Sequence, residues 1–462
     1  MPDAPWTGDA CSLVDAYRAG RHHPAEEMTA TLAAIAASEL NACCHVDAER
    51  AIAGAAAADV GAPFGGVPFG VKELDRLTGW PASDASLVFA HRVADRTFTC
   101  ISRALGAGLV PVAQTTASEF GGLNVSISRL HGTTYNPWGQ GRTAGGSSSG
   151  SAAAVAGGLV PIASGSDGGG SIRIPAAFCG LVGLKPTFGR IPRGPRTEVW
   201  PMTVVHGCLA RSVRDAARHL DVTAGPDLRD PNSLPAAGAW ERGLGGFDLS
   251  GLRVAVLPDF GGAVVRPEVA AVVLETGEAL VARLGARRVE VPNPTLALAV
   301  DWSMSNLVTL AAELGDAFPA GADELTTELQ FAMAVATQAY DLQLAARAEQ
   351  ARTDANETMA DLFQAADVVL CAANPDVAFG AGVTLNTRVG DLAVGPENNA
   401  TLTVPANVYG NPSITVPAGT VDGLPVGLQI MAPHHREDLC LALALDCEQA
   451  QPWPLVAPGA PC

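Results

Sequence analysis

The chain has 462 residues, 48% hydrophobic and only 16% charged, so it can bury a large core, and wholesale disorder is excluded. Its 47 acidic residues outweigh 29 basic ones, and the net charge of −18 argues against a nucleic-acid or anionic-membrane surface. No stretch approaches the roughly 20 apolar residues of a membrane span, and residues 1 to 20 lack the basic start and apolar run of a secretory signal, so the expected location is the cytoplasm.

Residues 11 to 59 read as helices, because Pro24 suits a helix start and Met28, Leu32 and Ile35 recur at helical spacing. In Phe-Gly-Gly-Val-Pro-Phe-Gly-Val-Lys-Glu-Leu-Asp at 64 to 75, a strand-like apolar run from Val67 to Val71 is closed by Lys72. A lone lysine among Phe69, Val71 and Leu74 sits partly out of water, although most such lysines carry their charge to the surface. Two glycine/serine clusters follow, Gly-Gly-Ser-Ser-Ser-Gly-Ser at 145 to 151 and Ser-Asp-Gly-Gly-Gly-Ser-Ile-Arg-Ile-Pro at 166 to 175. A serine after three glycines lies where the backbone can turn sharply and aim successive N–H groups at one point, as stabilising an oxyanion requires. The same composition also fits a flexible linker or a phosphate cradle. A linker would lack the buried-type neighbours Ala152 to Val155, Leu159 to Ile162, Ile172 and Ile174. A phosphate loop would carry a lysine after its glycines, whereas the nearest cation is Arg173.

Downstream, a strand is expected at 253 to 257, a helix from Pro267 to about Leu284, and strands at 288 to 291 and 367 to 371. Ser413 to Val416 and Val426 to Met431 form an antiparallel pair joined through Asp422-Gly423, and a last helix spans 436 to 449. Alternating strands and helices predict an α/β fold. We expect a single large domain whose twisted, mixed, mostly parallel sheet is covered by helices on both faces. No linker or internal repeat divides it; residues 60 to 215 hold the core motifs and 290 to 400 form a variable region. None of the ten cysteines forms a Cys-x-x-Cys pair, Cys43 and Cys44 are adjacent, and the nine histidines show no His-Glu-x-x-His spacing. No metal or cofactor is expected.

As a set, these motifs resemble the amidase signature family, whose catalytic unit is a Ser-Ser-Lys triad. Lys72 stands at the lysine of its Gly-Val-Pro-Phe-x-Val-Lys motif. Ser147 stands at the serine that follows Gly-Gly on a cis peptide bond, and Ser171 at the nucleophile of Asp-x-Gly-Gly-Ser-Ile-Arg-x-Pro. The separations of 75 and 24 residues are of the family's kind. The likeness extends through Asn136-Pro137-Trp138, the run Cys179 to Thr187, and the closing segments 411 to 417 and 423 to 429. Two departures stand out: Glu73-Leu74-Asp75 replaces the more familiar Asp-Asn after the lysine, and the extra Gly168 precedes Ser171 where an apolar residue or Thr is common.

The resemblance implies an amidohydrolase that cleaves the C–N bond of small apolar or aryl amides, with carbamates (urethanes) and esters within reach. It implies Ser171 as nucleophile, Ser147 as proton bridge and Lys72 as base. An oxyanion hole would be made from the backbone N–H groups of Gly168, Gly169, Gly170 and Ser171, with Asp167 and Arg173 bracing the loop and Ser148 the spare hydroxyl nearest the triad. As base, Lys72 must be neutral, so burial has to pull it well below about 10.4 against the acidic surroundings. Cys179, eight residues beyond Ser171, reads as a buried thiol and not a nucleophile. In the resembling family variable segments line the pocket, here 119 to 128 and the helical stretch 302 to 340, with Phe120, Leu123, Met304, Leu307, Phe331 and Met333 as apolar candidates. Two alternatives stand beside this reading: the glutaminase-type component of a tRNA-dependent amidotransferase, its A chain, and a catalytically silent scaffold. The expected partner is a small-molecule amide or carbamate, with no direct nucleic-acid or membrane contact and a homodimer left open.

Overall fold

Eleven strands form one sheet in the computed structural model, which describes residues 4–125, 127–196, 201–236 and 238–461. In chain order the strands are β1 (Cys43–Val46), β2 (Pro68–Lys72), β3 (Val110–Thr115), β4 (Ile162–Asp167), β5 (Val182–Lys185), β6 (Val205–Ala210), β7 (Arg253–Val256), β8 (Arg287–Arg288), β9 (Val368–Ala372), β10 (Ser413–Val421) and β11 (Leu424–Met431). Across the sheet they run β1-β3-β2-β4-β6-β5-β10-β11-β9-β7-β8. Every residue of β2, β4, β6 and β11 is buried, as expected for strands covered on both faces.

The helices that matter for the site are α1 (Ser149–Ala156), α2 (Arg173–Cys179), α3 (Pro267–Leu284), α4 (Ala299–Leu314), α5 (Thr327–Ala339) and α6 (Glu437–Ala450). All of α1 and α2 is buried; α1 lies against β4, and α2 packs on β5 and β11. Helix α3 begins with Pro267 in its first turn and stops at Gly285 in the left-handed region, so both of its ends are written in the sequence. No helix among the described residues is long and apolar enough to cross a membrane.

The sheet is mixed, but it is not mostly parallel. Among the described residues, β2 pairs in parallel with β3 and β4, and β7 with β8 and β9, while the other six pairings are antiparallel. Half of the antiparallel pairings lie in the middle of the sheet. The β10–β11 hairpin turns at Asp422 and Gly423, both at positive φ, and its insertion between β5 and β9 reverses the direction on each side. Two further expectations change. The segment 11 to 59 is not helical throughout, since Cys43–Val46 pairs antiparallel with β3 as an edge strand. The strand expected at 288 to 291 is reduced to Arg287–Arg288.

Candidate active site

Strand β2 ends on Lys72, whose side chain is fully buried. Its Nζ lies 2.9 Å from Ser147 Oγ, 2.9 Å from Ser166 Oγ and 3.3 Å from the Ser166 carbonyl oxygen. Burial lowers its pKa to about 8, although Asp75 and Asp167 favour the charged form. The three oxygen contacts match the three N–H donors of the ammonium, and the neutral amine can keep all three because either serine hydroxyl can donate to its lone pair. A second buried lysine, Lys185, is also depressed by burial, to about 7, but its Nζ donates to the Pro186 carbonyl and not to a hydroxyl.

Ser147 follows a cis peptide bond at Gly146–Ser147, ahead of α1. Ser171 sits on the turn from β4 into α2, close to full burial but still open to the outside. That turn is organised by Asp167, the last residue of β4. Its Oδ1 accepts from the Gly170 N–H at 2.7 Å, and its Oδ2 from the Ile172 N–H at 3.2 Å. The Arg173 guanidinium meets the same carboxylate with two bonds of 3.0 Å and also donates to the Thr403 carbonyl and Gln429 Oε1. Burial pushes the Asp167 carboxyl up, yet Arg173 overrides it and holds the group well below the usual carboxylate range. Replacing Arg173 with alanine strands a charge with 0% exposure. The expected loss is about 3–5 kcal/mol, read as a lowered midpoint in urea unfolding.

Several expected residues fall differently. The Gly170 N–H is committed to Asp167 and is not a free oxyanion donor. Among the described residues the N–H groups of Gly168, Gly169 and Ser171 have no hydrogen-bond partner. Gly170 itself has φ +130, and a Cβ there would lie 2.5 Å from Thr403 Oγ1, so only glycine fits. Ser148 reaches the site indirectly, its hydroxyl donating to the Ser166 carbonyl at 3.4 Å. Cys179 is fully buried, donates to the Ala144 carbonyl, and burial pushes its thiol up, away from nucleophilic use.

Sequence reasoning missed Ser166, which touches Lys72, and a buried relay behind it. There Ser164 Oγ accepts from the Lys72 N–H and donates to Asp75 Oδ2 at 2.6 Å, and Asp75 faces His206 Nδ1 at 3.1 Å. Burial opposes a charge on His206, but Cys100 and Asp75 raise it to about 10, so this imidazolium offsets Asp75 beside the lysine.

Beside Ser147, Gly121 leads into a buried apolar cluster. A Cβ on Gly121 would lie 3.4 Å from Ser147 Oγ, and one on Gly122 would lie 3.0 Å from Leu329. Phe120 packs there with Met304, Leu307 and Leu310 of α4, Leu329 and Met333 of α5, and Phe89. Phe331, in contrast, is 72% exposed and stands outside this cluster. Leu123 is half-buried and is held by its main chain, the Ser118 hydroxyl bonding both its carbonyl and its N–H.

Among the described residues two groups carry metal-type side chains, Cys44 with Glu73 and His131, and Asp75 with Cys100 and His206. The first is a hydrogen-bond hub, Glu73 Oε1 accepting from Ser83, Ala85 and His131; the second contains the Asp75–His206 pair just described.

The Amidase family profile matches residues 27–441. The chain belongs to the amidase signature family. This amidase is 36% identical to an acylamidase of Rhodococcus erythropolis over 85% of this chain and 82% of that one. It is 33% identical to the A chain of the glutamyl-tRNA(Gln) amidotransferase of Synechococcus, over 100% and 99% of the two chains. Its fold superposes on a bacterial aryl acylamidase of the same family with a TM-score of 0.90 at 25% identity, covering 97% of both chains. The amidase is accordingly an amide-hydrolysing enzyme.

Proposed function

We propose that this amidase hydrolyses small amides with an apolar or aryl group, through an acyl-enzyme on Ser171. The observation that carries the reading is the buried Lys72 amine, depressed to about 8 and 2.9 Å from the Ser147 hydroxyl. Ser171 Oγ attacks the carbonyl carbon as its proton passes to Ser147, whose own proton passes to neutral Lys72. The C=O π pair becomes an oxyanion facing the free N–H groups of Gly168, Gly169 and Ser171. As the tetrahedral centre collapses, Lys72 returns its proton through Ser147 to the leaving nitrogen, the C–N bond breaks, and the amine departs. Water then attacks the ester by the same relay, releasing the acid and restoring Ser171.

The buried apolar cluster that adjoins Ser147 through Gly121 supports an uncharged substrate. An apolar neighbourhood suits the zwitterion of glutamine poorly, and the amidotransferase relatives supply the alternative reading. Carbamates and esters present the same electrophilic carbon and are expected as further substrates.

The test is a panel of an aryl amide, an aryl carbamate, an aryl ester and glutamine, run with wild type and Ser171→Ala. Turnover of the aryl amide by the isolated chain, lost in the variant, is the expected result. Turnover of glutamine alone, or of nothing until a tRNA-binding partner is added, supports the amidotransferase reading instead.

A further inference from the structure

An oxyanion donor has to be aimed, and the Gly169 N–H is aimed through its own peptide plane. Gly168 and Gly169 share one trans peptide unit, in which C=O and N–H point in opposite directions. Whatever holds the Gly168 carbonyl therefore also sets the direction of the Gly169 N–H. The Gly168 carbonyl accepts from the indole Nε1–H of Trp302 at 2.8 Å. The ring lies close enough against the loop that a Cβ on Gly169 would sit 2.5 Å from the indole carbon Cζ2. The next peptide is held in a different way. The Gly169 carbonyl accepts from Thr403 Oγ1 at 2.6 Å, and the N–H at its other end, on Gly170, is fixed by Asp167 at 2.7 Å. That peptide is pinned at both ends, whereas the Gly168–Gly169 unit is pinned only at the carbonyl, which leaves its N–H free for the substrate oxyanion.

Trp302 belongs to α4, the helix that also supplies Met304 and Leu307 to the apolar cluster. Its own carbonyl accepts from Asn306 Nδ2 at 2.7 Å, one turn on. A residue outside every motif that marks the triad thus connects the helix of the apolar cluster to the oxyanion loop.

We propose that Trp302 is a positioning residue for the oxyanion hole, its indole N–H holding the Gly168 carbonyl so that the Gly169 N–H faces the reacting carbonyl. The inference rests on the Ser171 acyl-enzyme reading above. A donor positioned in advance contributes mainly in the transition state, where the oxyanion forms, and contributes little to binding the planar substrate. Trp302→Phe keeps a ring against Gly169 and removes the N–H.

The experiment measures kcat and KM for an anilide together with the inhibition constant of a trifluoromethyl ketone, which adds Ser171 Oγ and places an oxyanion in the hole. For Trp302→Phe, kcat is expected to fall about 10- to 100-fold with KM within about twofold, and the ketone to weaken by the same factor as kcat/KM. A melting temperature close to wild type separates this from general loosening. Should that variant fail to fold, Gly169→Ala, whose methyl would press on the indole, is expected to show the same proportionality between ketone binding and kcat/KM. An unchanged ketone constant in either variant, or a fall expressed in KM, overturns the positioning role. If the ketone binds wild type and Ser171→Ala equally well, the acyl-enzyme reading itself fails, whatever Trp302 does.

Discussion

Ser171→Ala is expected to reduce kcat on an aryl amide by about 10⁵-fold or more, on the order seen when a serine nucleophile is removed from a hydrolase, while the fold survives. The hydroxyl is the only group lost, and the loop around it does not depend on it. Asp167 and Arg173 fix the turn through main-chain N–H groups and the buried ion pair, and none of their bonds runs through Ser171 Oγ. Unfolding in urea should therefore be nearly unchanged. Ser147→Ala should leave more activity, because water can replace a bridging hydroxyl more easily than a nucleophile. A quench-flow trap makes the test decisive: denatured wild type caught during turnover should carry the acyl group on the peptide containing Ser171. An adduct on another side chain would end the case.

Which parts were readable follows from how local each determinant is. Lys72, Ser147 and Ser171 each stand in a short motif whose backbone needs are met by adjacent residues, so the sequence alone pointed to them. The ends of α3 and the β10–β11 turn are local in the same sense, written in Pro267, Gly285 and Asp422-Gly423. Ser166 was invisible because its meeting with Lys72 depends on β4 lying beside β2 in the register Phe69 to Ile162. Trp302 was hidden likewise, since its partner lies 134 residues away. Strand β1 escaped because three half-buried residues and an exposed Val46 at a sheet edge carry little alternation. Two misses had a signal that was available. Asp side chains commonly bond N–H groups a few residues on, and Asp167 takes the Gly170 N–H in that manner. The buried residues of α5, Leu329, Met333 and Ala336, follow four- and three-residue steps, and Phe331 falls off that stripe.

The pH dependence offers the other large effect, and its sign follows from the groups around Lys72. The base must be neutral, burial sets its pKa at about 8, and so kcat/KM should rise with pH and level off above that value. At pH 6 only about 1% of the amine is neutral, so the rate should be about 100-fold below the plateau, with a slope of one between. Asp75 and Asp167 oppose the shift, and of the two only Asp75 can be neutralised without dismantling the oxyanion turn. Asp75→Asn removes a charge that favours the ammonium, so the rising limb should move to lower pH to the extent that His206 keeps its own charge without Asp75. The plateau should drop as well, because Ser164 loses its carboxylate acceptor and His206 its counter-ion. Lys72→Arg makes the complementary case, since a guanidinium stays charged throughout the accessible range and should give no rise at any pH. The same limb persisting in Lys72→Arg would assign the titration to some other group and remove Lys72 from the relay.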